Sequence, residues 1–176
     1  MGNYVEVGSG PFTQTQFIIK RNFKTISLLD PGIPAYLTDV PGCSYKNGTL
    51  KSKPVRLLKY GAEKLIIDEY FGKFDTVLSI NVIDHVWDAY QFLQNLYDSL
   101  KPGGILIFHD RFSPNPKYLD AVLGPGNNFH PIRVSKKIFN HFFEQFEEIY
   151  MFEGQTHEMI RRKGGEVGFY FYGRKK

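Results

Sequence analysis

Residues 147–154, EEIYMFEG, and 166–176, EVGFYFYGRKK, are two strand-like apolar runs separated only by the polar stretch QTHEMIRRKGG at 155–165. No helix of useful length fits between them. Parallel neighbours need a crossover connection of a dozen or more residues, usually helical, so these last two strands are expected to form an antiparallel hairpin. Upstream the rhythm differs. Apolar runs bounded by turn residues predict strands at 3–7, 25–29, 55–60, 74–80 and 104–109, followed by the last pair at 147–153 and 166–173. Helical patterns lie between them, which implies a parallel sheet with right-handed crossovers, that is, an α/β fold. Val86, Tyr90, Leu93, Tyr97 and Leu100 step by four, three, four and three, which predicts one helical face, and LKPGG at 100–104 stops that helix. Ser135 is a good N-cap for a second helix that places Phe139, Phe142, Phe143 and Phe146 on one side. The segment 39–54, DVPGCSYKNGTLKSKP, reads as a loop, with a short helix around 34–40.

The 176 residues, 42% of them hydrophobic, suit a single domain, 1–176, with a real core. Sixteen Phe and eleven Tyr can fill that core and line a pocket. No run is long and apolar enough to span a membrane, and MGNYVEVG lacks the basic start and apolar stretch of a signal peptide. Glu6 stands where a myristoylation motif wants Ser or Thr. Cys43 is the only cysteine, so an internal disulfide and a cysteine metal cluster are excluded. The expectation is a soluble, cytoplasmic protein. Its net charge of +4 comes partly from RRKGG (161–165) and GRKK (173–176). A basic patch would favour an anionic partner, but no nucleic-acid motif accompanies these clusters, and solvated surface is the preferred reading.

The stretch NYVEVGSGPFTQTQF (3–17) runs from an apolar strand through a glycine pair towards a helix expected near Thr13. Gly8 and Gly10 allow a sharp turn and a close approach to a ligand, and the amides opening the helix would suit an anion. Glu6 sits at the strand end, where it can meet a cationic or hydroxyl-bearing group. Asp30 closes the second strand twenty residues after Gly10, the place for a carboxylate that binds ribose hydroxyls. A dinucleotide fingerprint wants a third glycine at position 13, where Thr13 stands. A pyrophosphate is therefore disfavoured, and a nucleoside without phosphates preferred.

VEVGSGPFT (5–13), ISLLDPG (26–32), GAEKL (61–65), FDTVLSINVIDHVWD (74–88) and LKPGGILIFHDRF (100–112) together resemble, in order and spacing, class I S-adenosylmethionine-dependent methyltransferases. The likeness is to the small-molecule branch typified by ubiquinone-biosynthesis methyltransferases, and it covers essentially the whole chain. It implies a Rossmann-like doubly wound sheet in the order 3-2-1-4-5-7-6, strand 7 antiparallel, with S-adenosyl-L-methionine as cofactor. It implies that Gly8, Ser9 and Gly10 wrap the methionine end, and that Glu6 orders that loop and the cofactor's amino group. By the same likeness Asp30 binds ribose and Pro31 packs on adenine. Ala62 and Glu63 lie beside the adenine, and Asn81 and Val82 lie near the methionyl group and the sulfonium. Two features depart from the family: Phe12 stands where another glycine is frequent, and relatives carry covering helices upstream of the first strand, so a minimal form or a fragment is expected.

Methyl transfer from a sulfonium is an in-line displacement in which much of the acceleration comes from holding acceptor and methyl in near-attack geometry. An oxygen or nitrogen acceptor can also need a base. The candidate catalytic residues are His85, past the fourth strand, and His109 with Asp110, at the end of the fifth; as structural residues they would cap a helix and sit satisfied in the core. His130 is a weaker candidate, and His141 and His157 are given no role. The Asn/Asp-Pro-Pro-aromatic motif of amino-group methylation is missing, Cys43 lies in the wrong loop for pyrimidine methylation, and no spacing suggests a metal site. The expected function is methyl transfer to a small-molecule acceptor. The alternatives are a cofactor-binding module without activity, an RNA methyltransferase, and a nicotinamide-dependent oxidoreductase, the last disfavoured by Thr13 and the terminal hairpin. The stretch 111–134, with four prolines and two glycines, is expected to form a lid over the acceptor, with Tyr118 or His130 facing it.

Overall fold

The computed structural model describes residues 2–19, 23–65, 69–112, 122–123, 132–154 and 167–176. Seven strands build one sheet: β1 (Asn3–Val7), β2 (Thr25–Leu29), β3 (Arg56–Leu58), β4 (Phe74–Ile80), β5 (Leu100–Phe112), β6 (Phe146–Gly154) and β7 (Val167–Lys175). Their order across the sheet is β3-β2-β1-β4-β5-β7-β6, the expected 3-2-1-4-5-7-6. β1, β2, β3, β4 and β5 pair in parallel, while β7 runs antiparallel to both β5 and β6. Between Leu100, opposite Phe74, and Ile105, opposite Thr76, the chain loops out, with Gly103 at a positive φ of 72°. The glycines of LKPGG therefore make the turn inside the long fifth strand's span, and pairing resumes where the apolar run begins.

Side chains alternate across the sheet. One face, with Val5, Val77, Leu106, Phe108, Phe169 and Phe171, packs on α3 (Ala89–Ser99) and α4 (Lys136–Phe143). The other, with Tyr4, Ile26, Leu28 and Leu78, packs on Ile33 of α2 (Ile33–Asp39) and on Tyr45 and Leu50 of the following loop. That loop carries a two-residue antiparallel pair, Thr49–Leu50 with Lys53–Pro54, so the expected loop at 39–54 has a small ribbon within it.

Two expectations for helices are corrected. α3 begins at Ala89 behind the N-cap Asp88, whose carboxylate accepts from Gln91 N at 2.9 Å. Val86 thus precedes the helix, although its spacing matches the helix period. The buried stripe is Ala89, Phe92, Leu93 and Leu96, spaced i, i+3, i+4, i+7, and Tyr90 faces solvent. The helix after the glycine turn, α1 (Thr15–Ile18), is a single turn. α4 meets its expectation in part: Ser135 is its N-cap and Phe139, Phe142 and Phe143 are buried on it, whereas Phe146, also buried, lies past the helix and opens β6. Phe143 stacks on Phe171 at 3.9 Å between centroids and meets Phe108 edge-on at 5.4 Å, locking α4 onto β5 and β7.

Candidate functional site

A cavity of about 590 Å³ opens at the carboxyl ends of β1–β4. Open α/β sheets place ligands there, outside the strand ends at the point where the strand order reverses. Of the expected site residues, Gly8, Gly10, Asp30, Pro31, Ala62, Glu63, Asn81, Val82 and His85 line it.

The glycine turn is held from beneath. Gly8 (φ +74°) and Gly10 (φ +53°) both lie in the left-handed region, and a Cβ on Gly8 would sit 2.3 Å from Cγ2 of Val82. Only glycine meets both demands at position 8. A Cβ on Gly10 would meet nothing within 4 Å, so the backbone there borders open space. Tyr45, fully buried in the loop after α2, donates its hydroxyl to Gly10 O at 2.6 Å, and Ser44 N donates to Pro11 O at 2.9 Å.

Glu6 does not line the cavity. Its carboxylate accepts from the hydroxyls of Thr13 and Thr15, from Gln14 N at 2.9 Å and from Thr15 N at 3.0 Å. Burial pushes its pKa up, opposed by these hydrogen bonds. The amides that open α1 are consumed by Glu6, so this helix start does not offer them to an anion. Thr13, where a dinucleotide fingerprint has glycine, is part of that clasp. Ser9 is buried beside it and also stays off the cavity wall.

Asp30 faces the cavity with its carboxylate fixed by Gly10 N (3.0 Å to Oδ2) and Gly32 N (2.7 Å to Oδ1). The hydroxyl of Tyr36, on α2, bonds to the same group; burial first and Asp30 second push the Tyr36 pKa up. A carboxylate offers roughly four acceptor positions, so after the two amides and the Tyr36 hydroxyl about one remains toward a hydroxylated ligand, which can also replace the tyrosine.

The opposite wall follows β4. Asn81 takes a left-handed φ of 58°, and its N–H donates to His109 O at 2.8 Å. Asp110, fully buried at the end of β5, accepts from Val82 N (2.7 Å), Ile83 N (2.8 Å) and Arg111 N (2.9 Å). Burial pushes Asp110 up to about 6, with the backbone bonds opposing and Asp84 adding to the rise. Arg111 pairs with Asp84 at 3.2 Å. Asp110 therefore shapes the wall and is not placed to move a proton. His85, its side chain 43% exposed, lines the cavity with Nε2 3.6 Å from Asp84 Oδ1.

His109 is elsewhere. Its ring stacks on Tyr170 of β7 at 4.1 Å, its Nε2 is buried with no hydrogen-bond partner among the described residues, and burial, then Arg111, push its pKa down. It does not line the cavity, because strand alternation turns it to the face opposite Asp110. Tyr118, His130 and most of the expected lid lie outside the described residues, as does His157. The composition of the sequence did not point to three wall residues, Tyr36, Val86 and Trp87. Asn95 was missed as well: buried on α3, it donates to Ala62 O at 2.9 Å and fixes the turn after β3. Among the described residues no cluster of His, Cys, Asp and Glu could hold a metal.

The site fits a nucleoside: a carboxylate for hydroxyls, a side-chain-free glycine turn for close approach, and apolar walls of Leu29, Ala62, Val82 and Val86 for a base. The methyltransferase-domain family matches residues 5–108. The chain belongs to that family. It is 26% identical over 147 residues to the mitochondrial ubiquinone biosynthesis O-methyltransferase of Dictyostelium discoideum, covering 82% of this chain and 44% of that protein. The chain thus spans less than half the length of this curated relative. In fold, this methyltransferase-domain chain is similar to the O-methyltransferase from the trans-AT PKS multienzyme of Brevibacillus brevis, solved with S-adenosyl-L-homocysteine. The TM-score is 0.71 at 12% identity, over 99% of this chain and 66% of that one. It is also similar to the Burkholderia thailandensis 1,6-didemethyltoxoflavin-N1-methyltransferase, solved with its acceptor and S-adenosylhomocysteine, with a TM-score of 0.65 at 16% identity, over 98% of this chain and 70% of that one.

Proposed function

We propose that the protein is an S-adenosylmethionine-dependent methyltransferase acting on a small-molecule acceptor. The observation that carries this reading is the convergence of Gly8, Gly10, Asp30, Ala62 and Val82 on one cavity, with acceptor capacity for hydroxyls and the amides that open α1 taken up by Glu6. Glu6 acts through the loop it clasps rather than by touching the ligand. Asp30 holds the ribose hydroxyls, and the backbone at Asn81, held by His109 O, and at Val82, held by Asp110, orients the methionyl end. When bound, S-adenosylmethionine supplies a methyl group on a sulfonium, whose positive charge already activates the leaving group. The chain's remaining task is to align an acceptor and exclude water.

His85 is the base of this reading, since it lines the cavity and borders Asp84. A base is needed if the acceptor is a hydroxyl, and the O-methyl transfer named for the Dictyostelium relative makes hydroxylated aromatics the first class to test. The test incubates the protein with S-adenosylmethionine and panels of phenols and amines, and follows S-adenosylhomocysteine by mass spectrometry. Product with at least one panel is expected. Tight cofactor binding with no product on any panel would favour a binding module instead.

A further inference from the structure

Tyr36 stands one turn into α2, and its N–H donates to Gly32 O at 3.0 Å. Its ring folds back over that same residue: a Cβ on Gly32 would collide with Cζ and the hydroxyl of Tyr36. Gly32 has an ordinary helical backbone, φ −79° and ψ −6°, so no turn demands a glycine there. The missing side chain makes room for the tyrosine. Half-buried, the ring lines the cavity together with Asp30 and Gly32, and its hydroxyl donates to the Asp30 carboxylate. Gly10 N and Gly32 N already donate to that carboxylate, one to each oxygen.

The number of acceptor positions then decides what a ligand can do. Two amides and a phenol leave about one of roughly four positions open, whereas a ribose brings two neighbouring hydroxyls. We infer that Tyr36 competes with the ribose of a nucleoside for Asp30, so that both sugar hydroxyls bind only when the phenol swings away. The inference rests on the nucleoside reading given above and adds to it a specificity-determining residue. The ring packs at the margin of the core rather than within it, so it can change rotamer without unpacking the sheet. A 2′-deoxyribose keeps a single ring hydroxyl, which the open position accommodates with Tyr36 in place. Tyr36 therefore weakens ribonucleosides selectively and narrows the preference of the site for ribose over deoxyribose.

Calorimetry on the full chain tests this with S-adenosylhomocysteine and its 2′-deoxy analogue. Tyr36→Phe keeps the ring on Gly32 and removes only the hydroxyl. It should bind S-adenosylhomocysteine about ten-fold more tightly than wild type, the lower end of what a hydrogen bond to a charged group contributes. Its affinity for the 2′-deoxy analogue should equal that of wild type. Gly32→Ala, whose Cβ pushes the ring aside and leaves its hydroxyl, should shift the two ligands in the same sense. Circular dichroism checks the fold of both variants, and Gly32→Ala is read in the same way if Tyr36→Phe does not fold. Unchanged or weaker binding of S-adenosylhomocysteine overturns the inference, because the phenol is then a bystander or itself a contact to the sugar. An equal gain for both ligands overturns it too, since acceptor positions would not be what limits the ribose. In each of these cases the nucleoside reading stands. If wild type binds neither ligand, that reading falls with the inference.

Discussion

At the scale of single residues, Asp30 and Gly8 carry the sharpest expectations. Asp30 is fixed by two amides, accepts from the Tyr36 hydroxyl as well, and keeps some acceptor capacity toward the cavity. Asp30→Ala should weaken S-adenosylhomocysteine binding by about 1–3 kcal/mol, the value of a hydrogen bond to a charged group. Unchanged affinity in calorimetry would remove its ribose role. Gly8→Ala should cost stability as well as binding, because the new Cβ meets Val82 at 2.3 Å and the φ of +74° disfavours any side chain. Gly10→Ala, with open space around it, bears the φ strain of about 1–2 kcal/mol alone and should melt higher than Gly8→Ala in a thermal scan. Both glycines and Asp30 are legible in the sequence because their roles are local: a turn, a strand end, a spacing of twenty residues. Glu6 was legible only in half. Its position marks a strand end, but its bonds to Thr13 and Thr15 depend on how tightly the loop folds back. Tyr45 gave no signal at all, since a tyrosine in a polar loop does not announce a carbonyl thirty-five residues upstream.

At the scale of elements, the junction between β4 and β5 is the place where pH should act. Asp110 is pushed from 3.8 up to about 6, so between those values the folded state keeps a proton that the unfolded state has released. The folded state then binds more protons, and the contribution of this residue to stability falls as pH rises from about 4 to about 6, then stays level. Asp84 and Arg111 are the charged groups facing it, and Asp84 acts in the same direction as burial. Urea unfolding of wild type and Asp110→Asn at pH 4.5 and 7.5 checks this. The variant should improve relative to wild type by about 2 kcal/mol between the two conditions. An equal difference at both would mean that the carboxyl is not titrating in the buried state. The strands themselves are legible because apolar runs between turn residues mark them whether they are central or at an edge. What the runs do not show is which faces are covered: Ile149, Tyr150, Met151 and Phe152 read like core residues and are 42–57% exposed on the edge strand β6. The α3 face was misread for a related reason. An apolar residue just ahead of a cap can mimic the helix period without belonging to the helix.

At the scale of the molecule, the cavity and the terminal hairpin fall in different parts of the chain. The described cavity wall comes from residues 8–87, whereas β6, β7 and α4 supply most of the phenylalanines of the core that Leu29, Ala62, Val82 and Val86 of that wall also join. The basic terminus ties to the ends of α3 and α4. Lys175 Nζ donates to Tyr97 O at 2.8 Å and Leu100 O at 3.0 Å and lies 3.9 Å from the Tyr97 ring centroid. Lys176 Nζ donates to Glu144 O at 2.6 Å. Burial pushes the Lys175 pKa down. GRKK, read as solvated surface, is thus a clasp on the last turn of α3, hidden from sequence reading because its acceptors lie 75 and 78 residues away. Tyr97 O already accepts from Leu100 N, so the lysine adds a charged donor at the end of α3, where cations are favoured. Lys175→Met should therefore lower stability by about 1–3 kcal/mol, the range for hydrogen bonds to a charged donor. It should leave the affinity for S-adenosylhomocysteine unchanged. Ligand at a hundred times its dissociation constant should then stabilise wild type and variant equally, by about 2.7 kcal/mol, or roughly 5–10 °C for a chain of this size. Thermal scans with and without ligand test this. A several-fold loss of affinity in Lys175→Met would show that the hairpin reaches the cavity through α3 and Asn95, and that the two parts of the fold are energetically one.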